Sequence, residues 1–191
     1  MGTARVACSI LLPAVLVAMC AVSRSSAQTS ASEVPDYGIR ATIPAGLPVC
    51  WGESATHVHG VGTVLFGSDC ENKNGGPAFN IWADGNTEFY ENPLYTLVDH
   101  PTCAGSRPAW AEGDWANAIG GLKTAICRTE RQSGEIEIAL AAQAGKWPDD
   151  QVDSPYINYT VNFATTRIRL NRDVEVLNTF LHSIVISAAE R

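Results

Sequence analysis

The fold is decided by residues 122–142, LKTAICRTERQSGEIEIALAA, in which two strand-like runs flank a polar turn. The first run spans Leu122 to Thr129, and the second spans Glu135 to Ala142. Ile136, Ile138 and Leu140 occupy alternate positions of the second run, so they point to the same side of a strand. The segment 130–134 between the runs is polar and ends in glycine. The stretch therefore predicts a β-hairpin with one buried side.

Further strands are predicted on both sides of this hairpin. Tyr156 to Thr165 alternates polar residues with Ile157, Tyr159, Val161 and Phe163, a pattern typical of a half-buried strand. Upstream, three more runs favour strands because they are apolar or rich in β-branched residues and end in turn formers. They are Tyr37 to Ile43, Val58 to Phe66 and Ala78 to Ala83.

The chain ends on a helical pattern that begins near Asn171. Val174, Leu177, Leu181 and Ile184 form an apolar stripe at helical spacing, and acidic residues occupy the first turn. The predicted architecture is α+β, with about six mostly antiparallel strands and a C-terminal amphipathic helix packed on one face. Residues 34–191 are predicted to form a single domain.

Two terminal segments resemble the ends of Mog1/PsbP-like domains. One is YGIRATIPAG at residues 37–46, and the other is FLHSIVI at residues 180–186. The resemblance implies an α+β fold. It implies no functional residue, because that fold hosts unrelated activities.

The N-terminus is predicted to direct the chain to the periplasm or the extracellular space. Arg5 precedes an apolar run from Val6 to Val22, and small polar residues follow up to Ala27. This profile is typical of a cleaved signal peptide covering residues 1–27. Residues 28–33 then form a disordered leader. The alternatives are a permanent membrane anchor and a lipoprotein acylated at Cys20, and the signal-peptide prediction implies that the mature chain is not embedded in a membrane.

Four cysteines remain after removal of the signal peptide, and an even number in an oxidising compartment predicts two disulfides. Three connectivities are possible. We favour Cys50 with Cys70 and Cys103 with Cys127, because each pair closes a loop that contains turn formers. A four-cysteine zinc site is the alternative, but the sequence contains no C-x-x-C pair.

The mature chain is acidic. Loss of Arg5 and Arg24 leaves 11 basic and 20 acidic residues, a formal net charge of −9. Nucleic acid and anionic membrane surfaces are therefore excluded as expected partners.

His57 and His59 form the one local pair of potential metal ligands. In a strand both imidazoles would point to the same side, and Asp69, Asp99 or His100 would supply a third ligand. This pair carries the alternative hypothesis of a small metal-assisted hydrolase. Solvent-exposed histidines on a strand or loop explain the same pattern.

A recognition surface is predicted around Trp147, which lies in the acidic loop 145–155, and around Tyr156 and Tyr159, which lie in the strand-like segment after it. The same rings suit an ordinary core. Asn158-Tyr-Thr160 also matches a glycosylation acceptor. Since no catalytic motif is present, the sequence favours an exported, non-catalytic binding module for another protein or an envelope component, of the inhibitor or immunity kind. It predicts no cofactor.

Overall fold

The computed structural model describes residues 30–34, 38–44, 50–54, 63–67, 78–85, 92–145 and 156–187. In chain order its strands are β1 (Ser30–Val34), β2 (Ile39–Ile43), β3 (Cys50–Ser54), β4 (Thr63–Gly67), β5 (Ala78–Gly85), β6 (Ala109–Trp110), β7 (Ala125–Glu130), β8 (Glu135–Ala144), β9 (Ile157–Thr166) and β10 (Val185–Ile186). The α-helices are α1 (Pro93–Val98) and α2 (Leu170–Ser183), and 3₁₀ turns span Pro101–Cys103 and Gly113–Trp115.

The described strands form two antiparallel sheets. The main sheet has seven strands in the order β3-β4-β5-β9-β8-β7-β6, and a small sheet has the order β1-β2-β10. The predicted hairpin is β7 and β8, with Ile126 opposite Leu140 and Arg128 opposite Ile138. The antiparallel α+β class and the C-terminal helix are confirmed. The number of strands is larger than predicted, because two-residue strands such as β6 and β10 are too short to leave an alternating pattern.

The small sheet begins earlier than the sequence suggests. Residues 30–33, assigned above to a disordered leader, lie in β1 and pair with β2, with Ser30 opposite Ile43. Main-chain pairing of an edge strand needs no apolar side chains, so the small polar residues of this segment gave no signal for it. The segment predicted to be a signal peptide, residues 1–27, lies outside the described residues.

One side of the main sheet carries the principal core. Phe79 stacks on Phe180 of α2 with ring centroids 4.2 Å apart. The alternating residues of β8 and β9 point to this side and are buried together with the apolar residues of β2 and α2. The helical stripe is confirmed in Leu177, Leu181 and Ile184, which are buried. The helix therefore packs on one face of the sheet, as predicted.

A buried carboxylate ties the start of α2 to β9. Asp173 lies in the first turn of the helix, where its Oδ2 accepts a 2.5 Å hydrogen bond from the Thr165 hydroxyl. Arg169 and Arg172 approach the same carboxylate, at 3.5 Å and 3.2 Å. Asp173 therefore acts as an anchor, bonded across to β9 rather than capping its own helix.

The opposite side of the main sheet is divided into two halves. Over β7 and β8 it presents Ala125, Cys127, Ala139 and Ala141, which pack with Leu97 of α1 in a second buried cluster. These small residues allow the helix to approach the strands closely. α1 therefore covers only the β7–β8 half of this side, and the β5–β9 half carries polar residues.

The predicted Cys103–Cys127 disulfide is present and joins the 3₁₀ turn after α1 to β7. Its two cysteines are buried beneath α1. Of the second predicted pair, Cys50 begins β3, and Cys70 lies outside the described residues.

Candidate functional site

Seven residues on β5, β9 and β8 form a polar surface on the side of the main sheet that faces away from α2. Strand register aligns them in rows. Asp84 lies opposite Asn158, which lies opposite Gln143; Trp82 lies opposite Thr160; and Asn80 lies opposite Asn162. Directly opposed residues share a side of a sheet, so all seven point the same way. We call this surface the polar face: Asn80, Trp82, Asp84, Gln143, Asn158, Thr160 and Asn162.

Three side chains link the strands of the polar face at one end. The Gln143 amide donates to Oδ1 of Asn158 over 3.0 Å. Asn158 in turn forms a side-chain hydrogen bond with Asp84. An Asn158 amide that accepts from Gln143 donates through its nitrogen to the carboxylate, so the chain of bonds fixes the orientation of all three groups.

The other end of the polar face contains a second amide pair. Asn162 donates through Nδ2 to Oδ1 of Asn80 over 3.3 Å. Oδ1 of Asn162 is buried and has no hydrogen-bond partner within the part of the chain that the structure describes. An unpaired buried acceptor costs ~1–3 kcal/mol, so this oxygen provides a position that favours an added donor.

Burial varies across the polar face. Asn158 and Thr160, on the central strand β9, are each 5% exposed and form its floor. The remaining five residues are only partly buried. A ligand would therefore meet the flanking residues directly, while the floor holds them in register.

The Asp84 carboxyl has a raised pKa. Burial raises the pKa of Asp84 from 3.8 to about 6, and the hydrogen bond from Asn158 offsets part of that rise. Perturbed pKa values are more common at functional sites than on ordinary surfaces. The residue can therefore change charge close to neutral pH.

The helix α1 lies beside the polar face on the same side of the sheet. Asn92 caps it by accepting a 3.0 Å hydrogen bond from the backbone N–H of Leu94. Its Thr96 hydroxyl is the second buried side-chain oxygen that has no hydrogen-bond partner in the described ranges. Polar groups with free bonding capacity thus occur on both the helix and the sheet.

The three residues predicted to recognise a partner, Trp147, Tyr156 and Tyr159, do not form one surface within the described residues. Trp147 lies outside the described residues. Tyr156 is 45% exposed and stands just before β9, two residues from Asn158. Tyr159 is 1% exposed and belongs to the principal core, where burial raises the pKa of its phenol. Its ring therefore supports the fold instead of meeting a partner at the surface.

The central pair of the metal hypothesis, His57 and His59, lies outside the described residues, as does Asp69. Of the other suggested ligands, His100 accepts a 3.2 Å hydrogen bond at Nδ1 from the Thr102 N–H, and burial lowers its pKa. Within the described ranges, no three His, Cys, Asp or Glu side chains form a group able to hold a metal ion.

Most residues of the polar face were not predicted from the sequence to form a site. The alternation in β9 identified the buried residues, but the intervening Asn158, Thr160 and Asn162 were read as solvent-facing. A usable signal was present, since these positions carry amides and a hydroxyl where exposed strand positions often carry lysine or glutamate. Asn158 is also unsuited to glycosylation, because its amide is buried and hydrogen-bonded.

Comparison of the chain with protein-family models, with curated proteins and with solved structures found no match. Among the residues that the structure describes, no helix is long and apolar enough to cross a membrane.

Proposed function

We propose that this chain is an exported, non-catalytic binding module that recognises another protein or a component of the cell envelope, and that it binds through the polar face. The observation that carries this proposal is the row from Asp84 through Asn158 to Gln143, in which hydrogen bonds fix three partly or fully buried polar side chains. Preorganised groups bind well because little side-chain entropy remains to be lost.

The composition of the polar face supports binding over a purely structural role. A structural sheet surface is either covered by apolar residues, as it is beneath α1, or fully exposed with charged residues. The polar face is neither, since its side chains are amides, a hydroxyl, a carboxyl and one indole, and none is fully exposed. Binding sites use a few fixed polar groups of this kind for specificity.

Export and the acidic charge of the mature chain are consistent with such a module. The Cys103–Cys127 disulfide suits an oxidising compartment. A net negative charge accelerates association with a basic target by electrostatic steering. The Mog1/PsbP-like resemblance is compatible with this proposal, because that fold hosts unrelated activities.

Affinity capture with matched variants tests the proposal. The immobilised mature protein is incubated with envelope extract from the exporting cell, beside Trp82→Ala on the polar face and Thr179→Ala on the exposed side of α2. We expect one component to be retained by the wild type and by Thr179→Ala, and to be lost from Trp82→Ala. Circular dichroism of each variant separates a lost contact from a lost fold.

Two results would reject the proposal. One is equal retention by Trp82→Ala and the wild type. The other is stoichiometric zinc in the purified protein together with a hydrolytic activity that disappears when His57 and His59 are both replaced by alanine. The second result would favour the metal-assisted hydrolase.

A further inference from the structure

The polar face offers hydrogen-bond donors and acceptors side by side. Each carboxamide supplies both, and Asn80, Asn162 and Gln143 are all partly accessible. A ligand group that both donates and accepts at one atom matches such a surface best. The hydroxyl group has this property.

The two unpaired buried oxygens select for the same chemistry. Oδ1 of Asn162 is an acceptor only, so it needs a donor from outside the described residues. The Thr96 hydroxyl can donate as well as accept, and a hydroxyl partner satisfies it in either sense. A hydroxyl group is therefore the ligand chemistry that suits either oxygen.

Charge argues against an anionic ligand. No lysine or arginine occurs in β5, β8 or β9, the three strands that form the polar face. Its one ionisable group is the Asp84 carboxyl, which repels anions when ionised. Phosphate, sulfate and uronate groups therefore have no cation to pair with on this surface.

Trp82 supplies an aromatic ring to the polar face. It lies between Asn80 and Asp84 on the same side of β5 and is only partly buried. The face of an indole ring is electron-rich and attracts the weakly positive C–H groups of a sugar ring. An aromatic ring flanked by fixed amide and carboxyl groups can thus bind one face and the hydroxyl rim of a pyranose together.

We infer that the polar face binds a neutral saccharide through Trp82, Asn80 and Asn162, with Asp84 and Gln143 completing its rim. This inference rests on the proposed function and narrows the envelope component to a glycan. A peptide ligand fits less well, because the described part of the polar face offers one aromatic ring and no row of apolar pockets for alternate side chains.

The test is a printed panel of neutral oligosaccharides, including gluco-, manno- and N-acetylglucosamine oligomers, with uronate-containing oligosaccharides as the acidic set. The full exported chain is applied with its disulfides intact, beside Trp82→Ala, Asn162→Ala and the control Thr179→Ala. The best neutral oligosaccharide is then titrated by calorimetry. We expect Trp82→Ala and Asn162→Ala each to raise its Kd by about tenfold or more, which is ~1.4 kcal/mol, and Thr179→Ala to leave it unchanged.

Each other outcome overturns the inference. Binding only to the acidic set contradicts the charge argument, and binding that survives both polar-face substitutions places the sugar elsewhere. If no neutral oligosaccharide binds, but an envelope protein is captured by the wild type and lost from Trp82→Ala, then the proposed function stands and the ligand is a protein. If capture also fails to depend on Trp82, both proposals fall.

Discussion

At the scale of single residues, the Asp84 carboxyl makes the stability of the fold depend on pH. Its pKa is raised by burial from 3.8 to about 6, so between these values the folded state binds more protons than the unfolded state. Stability therefore decreases as the pH rises from about 4 to about 6, and it levels off above that range. The full effect of this one residue is at most ~3 kcal/mol.

Asp84→Asn should remove this contribution. The amide keeps an oxygen that can accept from Asn158 and carries no charge, so the variant gains stability relative to the wild type as the pH rises through 6. Urea unfolding at pH 4.5 and pH 7.5 measures the difference. His100 acts in the opposite sense, because burial lowers its pKa and favours its neutral form. The His100 contribution to stability is the same in the variant and in the wild type, so it drops out of the difference between them.

The matched control is Asp114→Asn, which makes the same charge change at an exposed site. We expect its difference from the wild type to be within ~0.5 kcal/mol at both pH values. A stability difference for Asp84→Asn that stays constant with pH would contradict the assignment of a raised pKa.

The residues of the polar face also mark the limit of reading a strand from its pattern. Alternation in β9 correctly predicts that Ile157, Val161 and Phe163 are buried. It predicts solvent for Asn158 and Thr160, which are nevertheless buried between two neighbouring strands. Alternation along a strand shows which side of the sheet a residue faces. Whether that side is buried depends on tertiary packing, which the local sequence does not show.

At the scale of elements, α2 depends on one buried carboxylate for its attachment to β9. Asp173→Ala should destabilise the fold by ~2–3 kcal/mol, because it breaks charge-assisted hydrogen bonds and leaves the Thr165 hydroxyl buried without its partner. The released Arg172 side chain is largely exposed and is resolvated, which keeps the loss below that of a fully buried ion pair.

Chemical unfolding of Asp173→Ala beside Glu175→Ala checks this. Glu175 is an exposed acidic residue in the same helix, so its replacement should change the free energy of unfolding by less than ~0.5 kcal/mol. If both substitutions lowered the free energy of unfolding equally, the cause would be the removed negative charge of the helix and not the hydrogen bond between Asp173 and Thr165.

The disulfide between the 3₁₀ turn and β7 holds α1 over the sheet. Cys103 and Cys127 are 24 residues apart, and a loop of this length contributes ~3 kcal/mol through the entropy of the unfolded chain. The double variant Cys103→Ala with Cys127→Ala should lose about this much stability in thermal or chemical unfolding. A loss below ~1 kcal/mol would contradict that role.

Reductant applied to the same double variant tests the second predicted disulfide. If Cys50 and Cys70 are paired, reduction lowers the stability of the double variant further. If they are not paired, reduction leaves it unchanged. Non-reducing peptide mapping of the wild type identifies the linked peptides directly.

Helices and strands were predicted correctly where a long, continuous hydrophobic pattern marks them in the sequence. β7 and β8 form the expected hairpin, and α2 buries the predicted stripe. The six-residue helix α1 begins at Pro93, directly after its cap Asn92, and is too short to leave a helical repeat in the sequence. The partners of each strand were not predictable, since β5 pairs with β9 across more than seventy intervening residues.

At the scale of the whole molecule, the two segments that resemble Mog1/PsbP-like domains meet in space. β2 and β10 pair in the small sheet, with Arg40 opposite Val185, and α2 packs against β2. β2, β10 and α2 thus form one structural unit beneath the main sheet. The resemblance itself stays a prediction.

The last prediction concerns export of the whole chain. The apolar run after Arg5 and the small residues Ser25 and Ala27 predict cleavage after Ala27, so the mature protein should begin at or near Gln28 and carry no lipid. The strand β1 begins at Ser30, so cleavage at this position leaves the small sheet intact. Intact mass and N-terminal sequencing of exported material give the result. A mature terminus at a lipid-bearing Cys20, or an uncleaved chain that sediments with membranes, would contradict this prediction and place the polar face permanently at a membrane surface.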